Sequence, residues 1–344
     1  MPKPTVGPRA CIDRVLPKDA MKYQHTRRSG RPAVLSAIGP IGKTWINGST
    51  LRVRFIGGTI SERALVKEQA GWWTDHANLK LEFNNAPDAE IRISFDKSDG
   101  AWSYVGTDAK GISQGEATMN LGFLTDGTPA HEFGHAIGLA HEHQNPEVGI
   151  QWNEEVVIAA LAGSPNYWTP EQTRHNVLRK YEANQVNGTK FDPDSIMLYF
   201  FDASWTLNGV ATKQNDVLSG IDKMFIKGAR MYPATGPIED NVIKLKTDGS
   251  RVSAEIGKAG EEDVFKFKAA SGGRYVVDTR GTTDVVMKLF GPNSPTNLIA
   301  EDDDSGADTN ARIGADLVAG EYFVQVRHWD SKKTGKYTVG AKKG

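Results

Sequence analysis

The sequence predicts an α+β domain followed by a small all-β sandwich. Three observations predict it. From about residue 43 to residue 137, short alternating strand-like runs are interleaved with helical patterns, as in a mixed sheet with helices packed on it. Residues 241–344 instead break into short alternating runs separated by Gly, Pro, Asn and Asp. Between the two lies 234–240, ATGPIED, with the composition of a linker. At roughly 150 residues per domain, a chain of 344 residues suits two domains.

The elements follow in order. Residues 1–40 are rich in Pro, Arg and Gly and read as an extended arm with one short strand near 11–16. TLRVRF at 50–55 alternates apolar and polar residues, as a half-buried strand does. Ser61 is placed to cap a helix over 61–77, in which Leu65, Val66, Ala70 and Trp73 recur near helical spacing. AEIRISF at 89–95 is a second strand, 100–106 a Gly- and aromatic-rich loop, and ATMNL at 117–121 a third strand. Residues 127–137 read as a helix that tolerates Pro129 in its first turn. Residues 144–193 are irregular, with a short helical patch at 170–181. Residues 216–232 have helical periodicity, with Ser219 as N-cap and Pro233 as the stop. In the last domain 264–268, 275–279, 285–290 and 322–327 read as strands.

Composition excludes several function classes. Lys and Arg number 41 against 42 Asp and Glu, a net charge of -1, so no general attraction to nucleic acid or anionic membrane is expected. The single cysteine, Cys11, rules out an intrachain disulfide and any structural zinc module built on two or more cysteines. No run of about 18 apolar residues is present, so no transmembrane helix is expected. The first residues, MPKPTVGPRACIDRV, lack the apolar stretch of a signal peptide. An intracellular chain and one whose leader was removed before this numbering both stay open.

Four of the eight histidines fall in one string, HEFGHAIGLAHEH, at 131–143. His131 and His135 are four apart, so on a helix they share a face and reach one metal ion. Glu132 is placed to act on a metal-activated water rather than to bind the metal. Gly138 can take a positive φ, end the helix and swing His141 back as a third ligand. Three histidines plus water is the open pattern of a catalytic zinc site. A bare H-E-x-x-H arises in about one chain in a hundred of this length, and the added Gly and His lower that by about three orders of magnitude. His143 follows the third histidine by only two and reads as a neighbour of the site.

This string is the long zinc signature of the metzincin metallopeptidases, which carry a methionine turn downstream. Ser195-Ile196-Met197-Leu198-Tyr199 suits that turn, with Met197 as a soft apolar floor under the imidazoles. Within the metzincins the chain most resembles the astacin family over about 40–233. Glu142 directly follows the third His, and Tyr199 lies two residues after the Met, as in astacins. Leu198 departs from the usual His before that Tyr, Leu139 from the usual Phe, and the chain lacks the disulfides of animal astacins, as a bacterial, disulfide-free branch would. The resemblance implies a metzincin-like fold, a twisted mixed sheet plus an active-site helix. It also implies peptide-bond hydrolysis, with Glu132 as general base and Tyr199 as an additional, displaceable zinc ligand that later stabilises the oxyanion. An extended substrate would lie along an exposed strand edge, and 117–121 is the expected one.

Cys11 precedes this domain, and a thiolate is a strong zinc ligand. An arm carrying it can hold the enzyme latent with Cys11 on the zinc, which resembles the cysteine switch of other metzincin proenzymes. An incidental free cysteine is the other reading. The last domain resembles the bacterial pre-peptidase C-terminal domain through DVFKF at 263–267, DVVMKLF at 284–290, EDDDSG at 301–306 and AGEYFVQV at 319–326. Its acidic loop suits Ca²⁺, with Asp284, Asp302 and Asp304 as ligands, or is a solvated acidic turn.

The expected organisation is an arm over 1–39 acting as an inhibitory propeptide, a zinc peptidase domain over 40–235 and a β-sandwich over 241–344. The expected protein is a secreted monomer, a zymogen that binds Zn²⁺ and, in the last domain, Ca²⁺. Its partner is a protein or peptide substrate, with no nucleic acid and no membrane. Two other functions stay open: a binding protein with an inactive peptidase domain, and a zinc hydrolase of a non-peptide amide.

Overall fold

The computed structural model describes residues 12–14, 43–125, 127–145, 148–163, 166–180, 191–228, 231–234 and 242–344. Cys11 lies outside the described residues, as do most of the arm and of the linker.

The first sheet is built from β1 (Ile12–Arg14), β2 (Thr50–Phe55), β3 (Lys80–Glu82), β4 (Ile91–Ser94), β5 (Ala101–Tyr104) and β6 (Met119–Leu121), in the order β1-β5-β6-β4-β2-β3. All its pairings are parallel except β5 against β6. Two expectations are corrected. The segment 100–106 contains strand β5 rather than only a loop. The strand within 117–121 is not an edge: β6 lies between β5 and β4. The outer strand of the domain on that side is β5, and Ile12–Arg14 of the arm pairs along it.

Helix α1 (Ile60–Thr74) starts at Thr59 rather than at Ser61, because Thr59 and Glu62 close a reciprocal capping box. It packs against α2 (Thr128–Ala136), the helix of the histidine string. Trp73 is fully buried between them and donates its indole N–H to the Ala130 carbonyl at 2.6 Å. Short helices α3 (Glu154–Ala162), α4 (Pro170–Thr173) and α5 (Gly220–Ile226) complete the domain. Ser219 caps α5 with Asp222 in a second capping box, and the helix ends at Ile226, well before Pro233.

The second domain is a sandwich of nine strands. These are β7 (Ile243–Lys244), β8 (Asp248–Ile256), β9 (Glu262–Ala269), β10 (Gly273–Arg280), β11 (Val285–Phe290), β12 (Leu298–Asp302), β13 (Arg312–Leu317), β14 (Gly320–His328) and β15 (Gly335–Lys343). They form sheets β13-β10-β15-β8 and β12-β11-β14-β9-β7. Phe265, Phe267, Tyr275, Val277, Met287 and Val324 fill the space between the sheets. Every residue of β11 is buried, so both faces of this strand are covered.

Burial holds the Asp263 carboxyl at about 6, above the ordinary 3.8, although Tyr337 donates its hydroxyl to it at 2.6 Å. Folding therefore favours the neutral acid. The contribution is fully present below about pH 4 and is lost as the pH rises through about 6. Denaturant titrations between pH 4 and 7 should show the parent losing stability relative to Asp263→Asn as the pH rises. A pH-independent difference between the two proteins would contradict this.

Candidate metal centre

Helix α2 delivers His131, Glu132 and His135 in one and a half turns. Pro129 stands in its first turn, where its missing N–H costs nothing. After Ile137 the chain turns through Gly138 at φ +101. A side chain there would be strained, and a Cβ would also lie 3.3 Å from the Lys43 carbonyl oxygen. The turn returns the chain and brings His141 opposite His135.

The ring nitrogens of His131, His135 and His141 all lie within 4.8 Å of one another. Nε2 of His135 and Nε2 of His141 are 3.1 Å apart. Two nitrogens bound to one tetrahedral zinc would stand about 3.3 Å apart. The Nδ1–H of His131 donates to the Ile196 carbonyl at 2.7 Å, and that of His135 to the Leu139 carbonyl at 2.9 Å. These bonds fix the tautomers and leave Nε2 facing the common centre, which is how metal-binding histidines are oriented. Burial drives the acidity of all three imidazolium forms up: His131 falls to about 4, while His135 and His141 lie well below the ordinary 6.5. Neutral imidazoles are the form that binds a metal. The residues present therefore fit a zinc ion held by His131, His135 and His141. Glu132 is fully buried on the same helix.

Tyr199 belongs to the same cluster. Its ring lies 4.2 Å from that of His141 and 6.3 Å from that of His131, centre to centre. His143 stacks on Tyr199 at 4.6 Å and on His141 at 5.2 Å, with its Nε2 on the Asn176 carbonyl at 3.0 Å. Met197 is buried beneath α2, and a Cβ on Gly134 would overlap its sulfur. The glycine inside the histidine string is thus the seat of the methionine. Leu198 is buried where the resemblance led to a histidine.

Sequence reasoning missed Asp222. One carboxylate oxygen accepts from the Ser195 hydroxyl at 2.7 Å; the other accepts from the Ile196 N–H at 2.9 Å and the Ser219 N–H at 3.0 Å. It ties α5 to the methionine turn whose Ile196 carbonyl orients His131. The Ser219 N-cap was legible, but the duty of Asp222 at the methionine turn depends on a fold that brings α5 beside 195–196. Glu142 is also structural: one of its oxygens accepts from Asp192 N–H at 2.9 Å and Asn145 at 3.1 Å. Burial pushes its carboxyl up to about 8.

The acidic residues of the sandwich behave otherwise. Among the described residues, the three histidines are the one set of three or more His, Cys, Asp or Glu side chains close enough to share an ion. Asp284, Asp302 and Asp304 are not brought together in that way. Asp302 accepts instead from the backbone N–H groups of Ser305 and Arg312, at 3.1 and 2.7 Å.

The family model of the Astacin peptidases matches residues 41–224, more than half of the chain. The chain belongs to the astacin family. The solved structure of myroilysin matches this astacin with a TM-score of 0.54 and 37% identity, over 57% of this chain and 98% of that one. Tolloid-like protein 1 of Mus musculus is 34% identical over 152 residues, 42% of this chain and 13% of that protein. Blastula protease 10 of Paracentrotus lividus is 30% identical over 145 residues, 40% of this chain and 22% of that protein. The match thus spans under a quarter of the length of these two curated relatives. The model of the bacterial pre-peptidase C-terminal domain matches residues 261–328 of the sandwich.

Gly134→Ala should destabilise the domain by about 1–3 kcal/mol, because the added methyl overpacks Met197. Met197→Ala should cost about 2–5 kcal/mol as a cavity. The double variant should be less damaging than the two losses added, since the smaller side chain vacates the space the methyl needs. Denaturant unfolding of the four proteins measures this, and strict additivity would show that the contact does not matter.

Proposed function

We propose that this astacin is a secreted zinc endopeptidase held latent by its N-terminal arm. The observation that carries the peptidase reading is the convergence of three neutral imidazoles on one centre, His135 and His141 buried and His131 half-buried, with Glu132 buried on the same helix. Bound zinc supplies Lewis acidity, which acidifies a water and polarises the scissile carbonyl. Glu132 takes the proton of the attacking water at a carboxylate oxygen and passes it to the leaving amine. The Tyr199 hydroxyl, its ring stacked on His143 and tilted against His141, donates a hydrogen bond to the oxyanion. His131, His135 and His141 stay neutral throughout and serve as ligands.

The pairing of Ile12–Arg14 along β5 supports the latent reading. Helix α2 packs against β5, so a strand laid on β5 runs beside the histidines. A peptide substrate adding to that outer strand competes with the arm for the same backbone groups. Cys11 immediately precedes the paired residues in the sequence, and a thiolate is a strong zinc ligand. The association of a peptidase-family domain with a pre-peptidase C-terminal domain supports action outside the cell.

Casein hydrolysis by Glu132→Gln should fall by at least about 100-fold while about one zinc per chain is kept. Retained activity would remove Glu132 from the mechanism, and loss of zinc in parent and variant alike would remove the site. Deleting residues 1–30, or replacing Cys11 by Ser, should raise the activity of the freshly folded chain. Equal activity with and without the arm would end the latency reading.

A further inference from the structure

The β-sandwich sits on a segment that braces the back of the histidine turn. Residues 43–46 run beneath Gly138: a Cβ on Gly138 would lie 3.4 Å from Thr44 Cα. Gly106 completes the slot, since a Cβ there would overlap the Lys43 carbonyl oxygen. Trp45 is buried in this segment and donates its indole N–H to the Ala136 carbonyl at 2.8 Å. Its backbone N–H donates to the Tyr232 hydroxyl at 3.0 Å, and that hydroxyl donates to the Ile137 carbonyl at 2.6 Å. The last carbonyls of α2 are therefore held by residues 43–46 and Tyr232, one turn before Leu139 orients His135.

The opposite side of the same segment belongs to the sandwich. Ile46, only 1% exposed, packs with Phe290, Leu298 and Phe323. Thr44 donates its hydroxyl to Glu262 at 3.4 Å. Thr296 donates its hydroxyl to Glu90 of the first domain at 2.9 Å. This contact is why β11 is buried on both faces: Met287 and Leu289 enter the sandwich core, while Phe290 meets Ile46.

We propose that the pre-peptidase C-terminal-like domain is a positioning element of the metal centre, pressing residues 43–46 against the turn that carries Gly138 and orients His135. The sandwich and the histidines then communicate through one layer of backbone, without any residue of the sandwich touching substrate. Trp45 and Ile46 are positioning residues, one facing the helix end and one facing the sandwich. The inference rests on the three histidines being the metal site.

The test uses full-length Ile46→Asp, Phe323→Asp and the conservative Phe323→Leu. Three quantities are read: amide hydrogen exchange of residues 136–139 in the metal-free protein, zinc transfer to a chromogenic chelator, and kcat and KM on a peptide. Both Asp variants should show at least tenfold faster exchange at 136–139 and tenfold faster zinc transfer. Their kcat should fall with KM within twofold of the parent, and Phe323→Leu should track the parent. Exchange and zinc transfer within twofold of the parent in the Asp variants would overturn the proposal. Phe323→Ala, which empties the contact without burying a charge, is read in the same way if the Asp variants do not fold. A parent chain that binds no zinc would defeat the metal reading alone, because the exchange comparison needs no metal.

Discussion

Three imidazoles facing one another, two of them fully buried, are the constraint on which the first domain is organised. Burial strips each ring of water, and neutral rings with inward lone pairs repel until a cation is shared among them. The protein imposes the arrangement through the other edge of the ring. The Ile196 carbonyl holds His131 and the Leu139 carbonyl holds His135, from opposite sides of the site. Each of those carbonyls must itself be fixed. Ile196 is fixed by Asp222, which accepts its N–H, and the Leu139 turn follows the helix end braced by Trp45 and Tyr232. The metal centre is thus supported by a methionine turn on one side and by the start of the domain on the other.

Glycine makes this support possible at two places. Gly134 lets α2 descend onto the methionine sulfur, and Gly138 lets the helix end in a left-handed turn pressed against residues 43–46. A side chain at Gly134 would have to displace the buried methionine sulfur, and one at Gly138 would press on the Lys43 carbonyl, which the Thr107 N–H holds. The cost is concentrated in packing, because interiors have almost no free volume to absorb a methyl group.

The histidine string was legible because its chemistry is local. Spacing of four puts His131 and His135 on one face, and one flexible residue, Gly138, suffices to return His141. The sandwich was legible for a similar reason, since alternation with turn residues needs no knowledge of partners. Strand β5 was not: Ala101-Trp102-Ser103-Tyr104 is bounded by glycines, has no clean alternation, and is a strand because β6 and the arm supply its hydrogen bonds. The edge was misplaced with it, as 117–121 has the look of a strand but sits inside the sheet. Helix α3 was hidden in a region dominated by Asn and Pro. Ser219 reads as a cap from the sequence, but only tertiary structure gives its partner Asp222 the turn at 195–196. Ser61 was offered as a cap because it precedes the apolar run, yet Thr59 wins by its pairing with Glu62.

The single cysteine bears on how the loops of this domain are held. With no intrachain disulfide to close them, the long segment between His141 and α5 is fastened by buried carboxyl groups. Glu142 draws in Asp192 through its N–H, Asp192 accepts from the Ser219 hydroxyl, and Ser219 shares Asp222 with Ser195 and Ile196. Each hydrogen bond of this kind is worth about 1–3 kcal/mol, so a few together match the 2–5 kcal/mol typical of a native disulfide. Burial works against the charged forms, and at Glu142 it wins: the carboxyl is held up to about 8, and both of its accepted hydrogen bonds fall on one oxygen, as suits a neutral acid. At Asp222 burial likewise holds the carboxyl above its ordinary value, although three donors converge on the two oxygens and pull the other way. The same carboxyl that caps α5 therefore anchors the turn that aims His131, so a local helix signal and the metal geometry depend on one side chain.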